Sequence, residues 1–256
     1  MQAHERISRA IAAAGQEGRT AMVAFITAGY PHKAEFREVL ADVARTADVV
    51  EVGVPFTDPM ADGLTIQRAS KEAIAQGVTL SWILDEIGAM DPPPAAPVVL
   101  MSYLNPLLAM GYDTLAGRAA AAGVAGFIVP DLPLDESEEL DRALAAKGLA
   151  LVQLVSPVTA PGRLAAAARA SRGFLYAVNV TGITGGAVRG SGQLTEYLGR
   201  CVEAAEVPVC AGFGIRSPEQ VAELGRVVPG VIVGSALVEA LERGEKGSAF
   251  LESLRP

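Results

Sequence analysis

Short runs of apolar and β-branched residues alternate with longer Ala- and Leu-rich segments of helical period along the whole chain. Each short run ends at a glycine, a proline or a polar residue, and this rhythm is typical of parallel strands separated by helices. The pattern predicts strands near residues 21–27, 48–52, 97–102, 125–129, 149–155, 174–178, 207–211 and 230–234. Because eight parallel strands close a β/α barrel, we expect a single (β/α)8 TIM barrel, with an open doubly wound sheet as the alternative.

The helical segments predict the outer layer of this barrel. They lie near residues 33–45, 65–75, 79–89, 112–121, 135–146, 161–169, 192–205, 217–226 and 235–242. An additional amphipathic helix near residues 2–14 precedes the first strand, and we expect it to cover the floor of the barrel. The prolines at 92–94 fall where a helix must end before the third strand, so they predict a turn. We therefore expect one domain that spans residues 1–256.

Composition and charge narrow the class of protein. The 256 residues are half apolar, and 21 basic against 29 acidic residues give a formal net charge of −8. Such an acidic balance argues against nucleic acid or an anionic membrane as the main partner. The apolar run at 119–129 is shorter than the ~18 residues of a spanning helix, and the N-terminal segment lacks a signal-peptide pattern. With Cys201 and Cys210 expected as buried thiols, these features predict a cytosolic protein.

A carboxylate at the end of the second predicted strand begins the most elaborate loop of the chain. Glu51 lies among valines, and residues 53–63 follow as a Pro- and Gly-rich loop with two further carboxylates, Asp58 and Asp62. Active sites of barrels lie at the carboxyl ends of the strands, and a desolvated carboxylate has a raised pKa suited to proton transfer near neutrality. The alternative for Glu51 is a structural carboxylate bound to backbone amides.

Two glycine-rich regions also follow predicted strands. Residues 179–192 form a loop that can fold over a ligand and exclude water, although a plain flexible connection fits the same composition. Gly212, Gly214, Gly234 and Ser235 follow the last two strands, where barrels of this kind hold phosphate with backbone N–H groups and a helix N-terminus. We expect a phosphate site there, with Ser235 as the N-cap of a short helix.

Missing residue types limit the mechanism. The only lysines are Lys33, Lys71, Lys147 and Lys246. Each lies on or beside a predicted helix, so no strand end supplies the desolvated amine of a Schiff base. His4 and His32 are the only histidines, which excludes the usual three-ligand zinc site but leaves an all-carboxylate magnesium site open. No nucleophile elbow or Walker-type loop occurs, so Glu and Asp remain as acid and base.

The segment Glu51-Val-Gly-Val-Pro-Phe-Thr-Asp58-Pro-Met-Ala-Asp62-Gly63 resembles the signature of the tryptophan synthase alpha subunit family. Further matches along nearly the whole chain are Phe25-Ile-Thr-Ala-Gly, Met101-Ser-Tyr103-Leu-Asn105-Pro106, Val129-Pro-Asp131-Leu-Pro133, Thr181-Gly-Ile-Thr184-Gly185, Gly212-Phe213-Gly214-Ile215 and Gly234-Ser235-Ala236. The resemblance implies a β/α barrel that cleaves indole-3-glycerol phosphate to indole and glyceraldehyde 3-phosphate by a retro-aldol reaction, without a cofactor.

Roles for individual residues follow from the same resemblance. Glu51 would move protons to the indole ring carbon and from the glycerol hydroxyl, while Asp62 would hold the indole N–H. The implied substrate pocket consists of Phe25, Tyr103, Ile128, Leu154, Tyr176, Thr184 and Phe213. The implied phosphate site consists of Gly185, Gly214, Gly234 and Ser235. For the aromatic residues, and for Tyr176 above all, ordinary core packing is the alternative.

The resemblance also implies a partner, a beta subunit that completes an αββα heterotetramer. The residues expected to contact it are Pro55, Asp58, Asn105 and Pro106. Leu64 departs from the family pattern, which usually has proline after Ala-Asp-Gly, and this puts the stiffness of the loop in doubt. Two other functions remain open: a related phosphate-binding barrel of the tryptophan pathway, such as indole-glycerol phosphate synthase or phosphoribosylanthranilate isomerase, or an alpha-like barrel that mainly activates a beta subunit.

Overall fold

One parallel sheet forms the centre of the molecule. The computed structural model describes residues 1–178, 191–212 and 214–256. Within them the strands are β1 (Ala21–Thr27), β2 (Val49–Gly53), β3 (Val98–Met101), β4 (Gly126–Ile128), β5 (Ala150–Val152), β6 (Leu154–Val155), β7 (Leu175–Val178), β8 (Val209–Gly212) and β9 (Gly230–Val233). Every strand pair is parallel, in the order β5-β4-β3-β2-β1-β9-β8-β7-β6. The predicted strands are therefore confirmed, with small differences at their ends.

The two ends of this order belong to one interrupted strand. Gln153 alone separates β5, which pairs with β4, from β6, which pairs with β7. The Tyr176 N–H donates to the Gln153 carbonyl over 3.0 Å, so backbone hydrogen bonding continues across the interruption. The sheet is thus a closed barrel of eight strands, and the predicted strand at 149–155 corresponds to β5 and β6 together. The open doubly wound sheet is excluded.

Helices surround the barrel. In the described residues they are α1 (Ala3–Gln16), α2 (Phe36–Ala44), α3 (Leu64–Ala75), α4 (Leu80–Gly88), α5 (Leu104–Met110), α6 (Tyr112–Ala121), α7 (Glu138–Ala145), α8 (Pro161–Ala170), α9 (Ser191–Ala204), α10 (Pro218–Leu224), α11 (Ser235–Glu242) and α12 (Gly247–Ser253). Short 3₁₀ turns at Lys33–Glu35 and Leu134–Glu136 replace the first turns that the sequence predicts as α-helix. None of the described helices combines the length and the apolar character needed to cross a membrane.

Helices α5 and α12 are absent from the sequence prediction. Helix α5 has only seven residues, and its proline, Pro106, favours a turn in the sequence pattern. In the structure Pro106 lies in the first turn of α5, where the backbone N–H groups have no partner within the helix, so proline is tolerated. Helix α12 is equally short and begins with glycine, so it spans too few residues to show a clear period. Both helices are set by packing against the barrel more than by their local sequence.

Helix α1 covers the floor of the barrel, as the sequence predicts. Ile7, Ile11 and Ala14 are fully buried and pack with the residues that fill the lower barrel, among them Val23 and Val49. Their spacing of three and four residues gives α1 one apolar face. Among the described residues, α1 therefore shields this end of the barrel interior from solvent.

A separate apolar cluster lies near the mouth of the barrel. Phe25 of β1 packs there with Tyr30, with Ile66 and Ala69 of α3, and with Val238 of α11. The Phe25 ring crosses over β2 at Gly53, where an added Cβ would lie 2.5 Å from the ring. A glycine at position 53 is thus required by this aromatic side chain, which in turn fixes α3 and α11 beside the mouth.

We predict that Ile11→Ala lowers the free energy of unfolding by about 2–5 kcal/mol, because it removes buried methyl groups and leaves a cavity. Urea unfolding followed by circular dichroism measures this loss. Arg9→Ala on the exposed face of the same helix is the matched control and should change stability by less than about 0.5 kcal/mol. Equal losses for the two variants would contradict the packing of α1 against the barrel floor.

Candidate active site

Glu51 lies inside the barrel at the third position of β2. It pairs in register with Phe25 on one side and with Val99 on the other, and it points inward like Val49 two residues earlier. The side chain is fully buried, and neither carboxylate oxygen has a hydrogen-bond partner among the described residues. The sequence also left open that Glu51 is a structural carboxylate bound to backbone amides. The geometry does not support that role, because no described backbone amide donates to it.

The surroundings of Glu51 favour its protonated form. Burial raises its pKa from 4.5 to about 8, and the negative charge of Asp62 adds to the rise. A buried carboxylate without donors cannot recover the hydration it loses, so its neutral form is preferred. At neutral pH Glu51 therefore carries a proton that it can donate.

Asp62 comes from the long loop between β2 and α3. Burial raises its pKa from 3.8 to about 6, and hydrogen bonding to Tyr103 opposes that rise. The Tyr103 hydroxyl also accepts the Ala61 N–H over 2.9 Å, and the Phe56 ring stacks on Tyr103 with 5.1 Å between ring centroids. Tyr103 thus holds the loop that carries Asp62 against the barrel mouth.

The two carboxylates differ in charge near neutrality. With pKa values of about 8 and about 6, Glu51 is mostly protonated and Asp62 mostly ionised at pH 7. Two neighbouring carboxyl groups with separated pKa values are suited to act as a proton donor and as a fixed negative charge. The site therefore supports acid–base chemistry that develops positive charge in its substrate.

The predicted aromatic and aliphatic pocket residues differ in their positions. Tyr176 of β7 is paired in register with Leu154. Burial raises the pKa of its phenol, and the charges of Glu51 and Asp62 add to the rise. An added Cβ at Gly212 would lie 2.9 Å from the Tyr176 ring, so this glycine makes room for the ring. Ile128 is fully buried among the residues that fill the barrel, which fits core packing as well as a pocket wall.

The candidate phosphate residues follow β8 and β9. Gly214 is exposed and has a positive φ of 65°. The N-cap of α11 is Gly234 and not Ser235, because the Gly234 carbonyl accepts the first helical N–H groups, from Leu237 and Val238. The prediction of Ser235 as N-cap was therefore wrong by one residue. Ser235 begins the first turn, whose N–H groups lack partners within the helix.

Three predicted site residues, Thr184, Gly185 and Phe213, lie outside the described residues. The expectations for them remain predictions. The same holds for the glycine-rich segment 179–192 as a cover for the site, since only its last two residues are described, at the start of α9.

The residues predicted to meet a partner are not equally accessible. Asp58 and Asn105 are exposed and Pro106 is partly exposed, whereas Pro55 is buried within the chain. The structure therefore favours the first three over Pro55 as contacts. Leu64, which replaces the usual proline, is the first residue of α3, where no hydrogen bond from its N–H is required.

Residues that the sequence interpretation did not single out also line the site. A small cavity of about 10 Å³ is bounded by Phe25, Gly53, Val54, Asp62, Ile66, Ser70, Met101 and Tyr103. This volume holds about one water molecule. Thr27 is buried beside Gly53, and its hydroxyl has no partner among the described residues. The alternation of β-strands gives the missing signal, since Thr27 and Met101 point inward two residues after Phe25 and Val99.

A larger groove of about 550 Å³ lies at the other end of the barrel. Its three arginines are already engaged: Arg19 pairs with Asp48 over 2.7 Å, Arg45 pairs with Asp42, and Arg255 donates to the Thr46 carbonyl over 2.7 Å. This groove is lined by neither Glu51 nor Asp62, whereas Asp62 lines the smaller cavity. Across the described part of the chain, no three His, Cys, Asp or Glu side chains form a possible metal cluster.

Comparison with known proteins agrees with this geometry. The family model described as tryptophan synthase alpha chain matches residues 11–253. The tryptophan synthase alpha chain of Laribacter hongkongensis is 44% identical over 239 residues, which cover 93% of this chain and 90% of that protein. The alpha chain of Nitratidesulfovibrio vulgaris strain DP4 is 41% identical over 249 residues and 97% of each chain.

Solved structures give the same result. Tryptophan synthase subunit alpha from Legionella pneumophila strain Paris has a TM-score of 0.89 and 31% identity, over 100% of this chain and 97% of that one. An open form of tryptophan synthase from M. tuberculosis has a TM-score of 0.88 and 35% identity, over 97% of this chain and 96% of that one. The fold is therefore explained by tryptophan synthase alpha chains, without the other phosphate-binding barrels considered in the sequence analysis.

Three findings lead to the same assignment. The barrel carries two carboxyl groups with different pKa values at its mouth, the family model matches nearly the whole chain, and the relatives described above are tryptophan synthase alpha chains. The chain belongs to the tryptophan synthase alpha chain family and is a carbon–carbon lyase of tryptophan biosynthesis that cleaves indole-3-glycerol phosphate to indole and glyceraldehyde 3-phosphate.

Proposed function

We propose that Glu51 and Asp62 perform this cleavage as a proton-transfer group and a fixed negative charge. The observation that carries the proposal is the buried Glu51 carboxyl group, which has no hydrogen-bond partner among the described residues and a pKa of about 8. A group in this state needs a partner from the substrate, and its proton is available at neutral pH.

The order of proton transfers follows from these protonation states. Protonated Glu51 donates to C3 of the indole ring, and the positive charge that develops on the ring nitrogen is stabilised by ionised Asp62, which accepts the N–H. The Glu51 carboxylate then takes the proton of the glycerol hydroxyl next to the ring. The electron pair of that O–H bond forms the aldehyde carbonyl, and the electrons of the breaking C–C bond return to the ring. Glu51 is protonated again when indole and glyceraldehyde 3-phosphate leave.

The substrate is held at both of its ends. Phe25, Tyr103, Leu154 and Tyr176, with Ile128 beneath them and the undescribed Thr184 and Phe213, would enclose the indole ring. Backbone N–H groups near Gly214, Gly234 and Ser235, with the undescribed Gly185, would bind the phosphate, since glycines and a helix N-terminus suit an anion. The small volume between Phe25 and Tyr103 requires these side chains to move apart when the ring enters.

The proposed partner is a tryptophan synthase beta subunit in an αββα assembly. Met60 and Leu64 are large, apolar and more than four-fifths exposed, and they lie two residues before and after Asp62. An interface that covers this loop would also hold Asp62 in place, so docking and catalysis would be coupled. The free thiols of Cys201 and Cys210, both buried, fit the cytosol as the compartment of this assembly.

We predict that Glu51→Gln lowers kcat for indole-3-glycerol phosphate by about 10²- to 10⁴-fold, as expected for loss of an essential proton-transfer group. Steady-state kinetics with excess beta subunit measures the effect. Glu203→Gln on the exposed face of α9 is the matched control with parental kinetics. A rate within tenfold of the parent would remove Glu51 from the mechanism of cleavage.

A measurement of stability at pH 8 shows whether Glu51→Gln loses activity because it fails to fold. The pKa of Glu51 is higher in the folded chain than its usual 4.5, so the parent binds more protons when folded and loses stability as pH rises from about 4.5 through about 8. The neutral amide of Glu51→Gln does not ionise. The variant should therefore be at least as stable as the parent at pH 8.

We predict a bell-shaped pH profile of kcat/KM. The acidic limb lies near pH 6, where Asp62 loses its charge, and the basic limb near pH 8, where Glu51 loses its proton. The negative charge of Asp62 contributes to the raised pKa of Glu51, so Asp62→Asn should remove the acidic limb and move the basic limb of its residual activity to lower pH. A basic limb unchanged in Asp62→Asn would contradict the electrostatic contact between the two groups.

We predict that Met60→Glu weakens activation by the beta subunit at least about tenfold in half-maximal concentration, because a charge would be buried at the interface. The rate of the chain alone should stay within about twofold. Ala12→Glu on the exposed face of α1 adds the same charge at the opposite end of the barrel and is the control. Titration of lyase activity with beta subunit measures both. Equal effects of the two variants would place the interface elsewhere.

A further inference from the structure

Glu239 of α11 joins three separate segments beside the mouth of the barrel. Its carboxylate forms a double contact with the Arg216 guanidinium, with N–O distances of 2.7 and 3.0 Å. One of its oxygens also accepts the Thr65 hydroxyl over 3.0 Å. The Glu239 side chain is only 24% exposed, while Arg216 is 57% exposed. A half-buried bidentate pair with a third partner is more firmly held than an ordinary surface ion pair.

Each of the three segments leads directly to a part of the proposed site. Thr65 follows Asp62 by three residues and lies in the first turn of α3. Arg216 follows Gly214 by two residues, and Glu239 lies one helical turn after Ser235 in α11. Contacts among Thr65, Arg216 and Glu239 therefore connect the loop of Asp62 with the two loops proposed to bind the phosphate, which contain Gly214 and Gly234.

We propose that Glu239 is a positioning residue that fixes the distance between the two grips on the substrate. The inference rests on the proposed function. Indole-3-glycerol phosphate is held by its ring nitrogen at one end and by its phosphate at the other, so the reacting carbon is placed correctly only if both grips keep their separation. Misplacement of a reacting group by about 1 Å can cost on the order of 10²-fold in rate.

The electrostatics of this cluster make it a permanent contact. The hydrogen bonds from Arg216, opposed in part by desolvation and aided by Thr65, lower the pKa of Glu239 to about 2. Glu239 is therefore ionised throughout the pH range of the enzyme, and its charge is matched by that of Arg216. The cluster holds the segments together without adding a free charge beside the phosphate.

The chain contains a matched control for this cluster. Arg68 of α3 and Glu242 of α11 form an ion pair between the same two helices, three residues further along each of them. Both side chains are more than a third exposed, and the ion pair joins α3 to α11 without a partner from the described residues after β8. A variant at Glu242 therefore disturbs the packing of α3 on α11 without releasing the loop of Gly214.

The test compares Glu239→Gln and Thr65→Val with Glu242→Gln. We expect kcat/KM for indole-3-glycerol phosphate to fall about tenfold or more in Glu239→Gln and several-fold in Thr65→Val, while Glu242→Gln stays within about twofold. The dissociation constant of inorganic phosphate, which uses only one grip, should stay within about twofold in all three. Thr65→Ser, which keeps the hydroxyl, should restore the activity lost in Thr65→Val.

Three outcomes overturn the inference: parental kcat/KM in Glu239→Gln and Thr65→Val, an equal fall in Glu242→Gln, or a loss of phosphate affinity as large as the loss of kcat/KM. Thr65→Val leaves the ion pair of Glu239 with Arg216 intact, so it remains informative if Glu239→Gln does not fold. Failure of the function is separate, because it appears as a parent chain that does not cleave the substrate with or without beta subunit. A parent that cleaves, with variants that match it, overturns only the role of Glu239.

Discussion

The burial of one carboxyl group inside the barrel is the constraint on which the site depends. Glu51 has lost its hydration and has no donor among the described residues. Holding an ionised carboxylate there would cost several kcal/mol, so burial favours the protonated form of the group near neutrality. The stability for this comes from elsewhere, mainly from the apolar layers on both faces of the sheet. The buried carboxyl group thus lowers stability locally, and apolar packing throughout the barrel offsets this loss.

Several other features serve to keep this environment dry. Helix α1 closes the floor with Ile7 and Ile11, while Phe25 lies across β2 where Gly53 leaves room for its ring. Asp62 reaches the site from a loop that Tyr103 holds in place. A more open barrel would hydrate Glu51 and return its pKa toward 4.5, and proton donation at neutral pH would be lost.

The sequence predicted what depends on repeated local patterns. The strands, most helices and the position of Glu51 near the end of β2 could be inferred because strand order and barrel closure follow from the alternation of elements. The N-cap of α11 was misplaced by one residue, because the backbone angles of Gly234, and not the side chain of Ser235, set where helical bonding begins. The burial of Pro55 and the cluster at Glu239 were not predicted, since both depend on contacts between segments far apart in sequence.

The pairing of β1 with β9 has a consequence for how the barrel forms. Strands β1 to β5 are neighbours in chain order, so they can assemble as they emerge from the ribosome, but Ala21 finds its second neighbour only at Gly230. Until that late strand appears, one edge of β1 exposes its unpaired backbone groups, and such edges invite pairing with other chains. The barrel therefore closes only when β9 pairs with β1, the first strand of the chain. The N-terminal arc must persist as an open sheet during most of synthesis, with α1 unable to complete the floor that it covers in the finished enzyme.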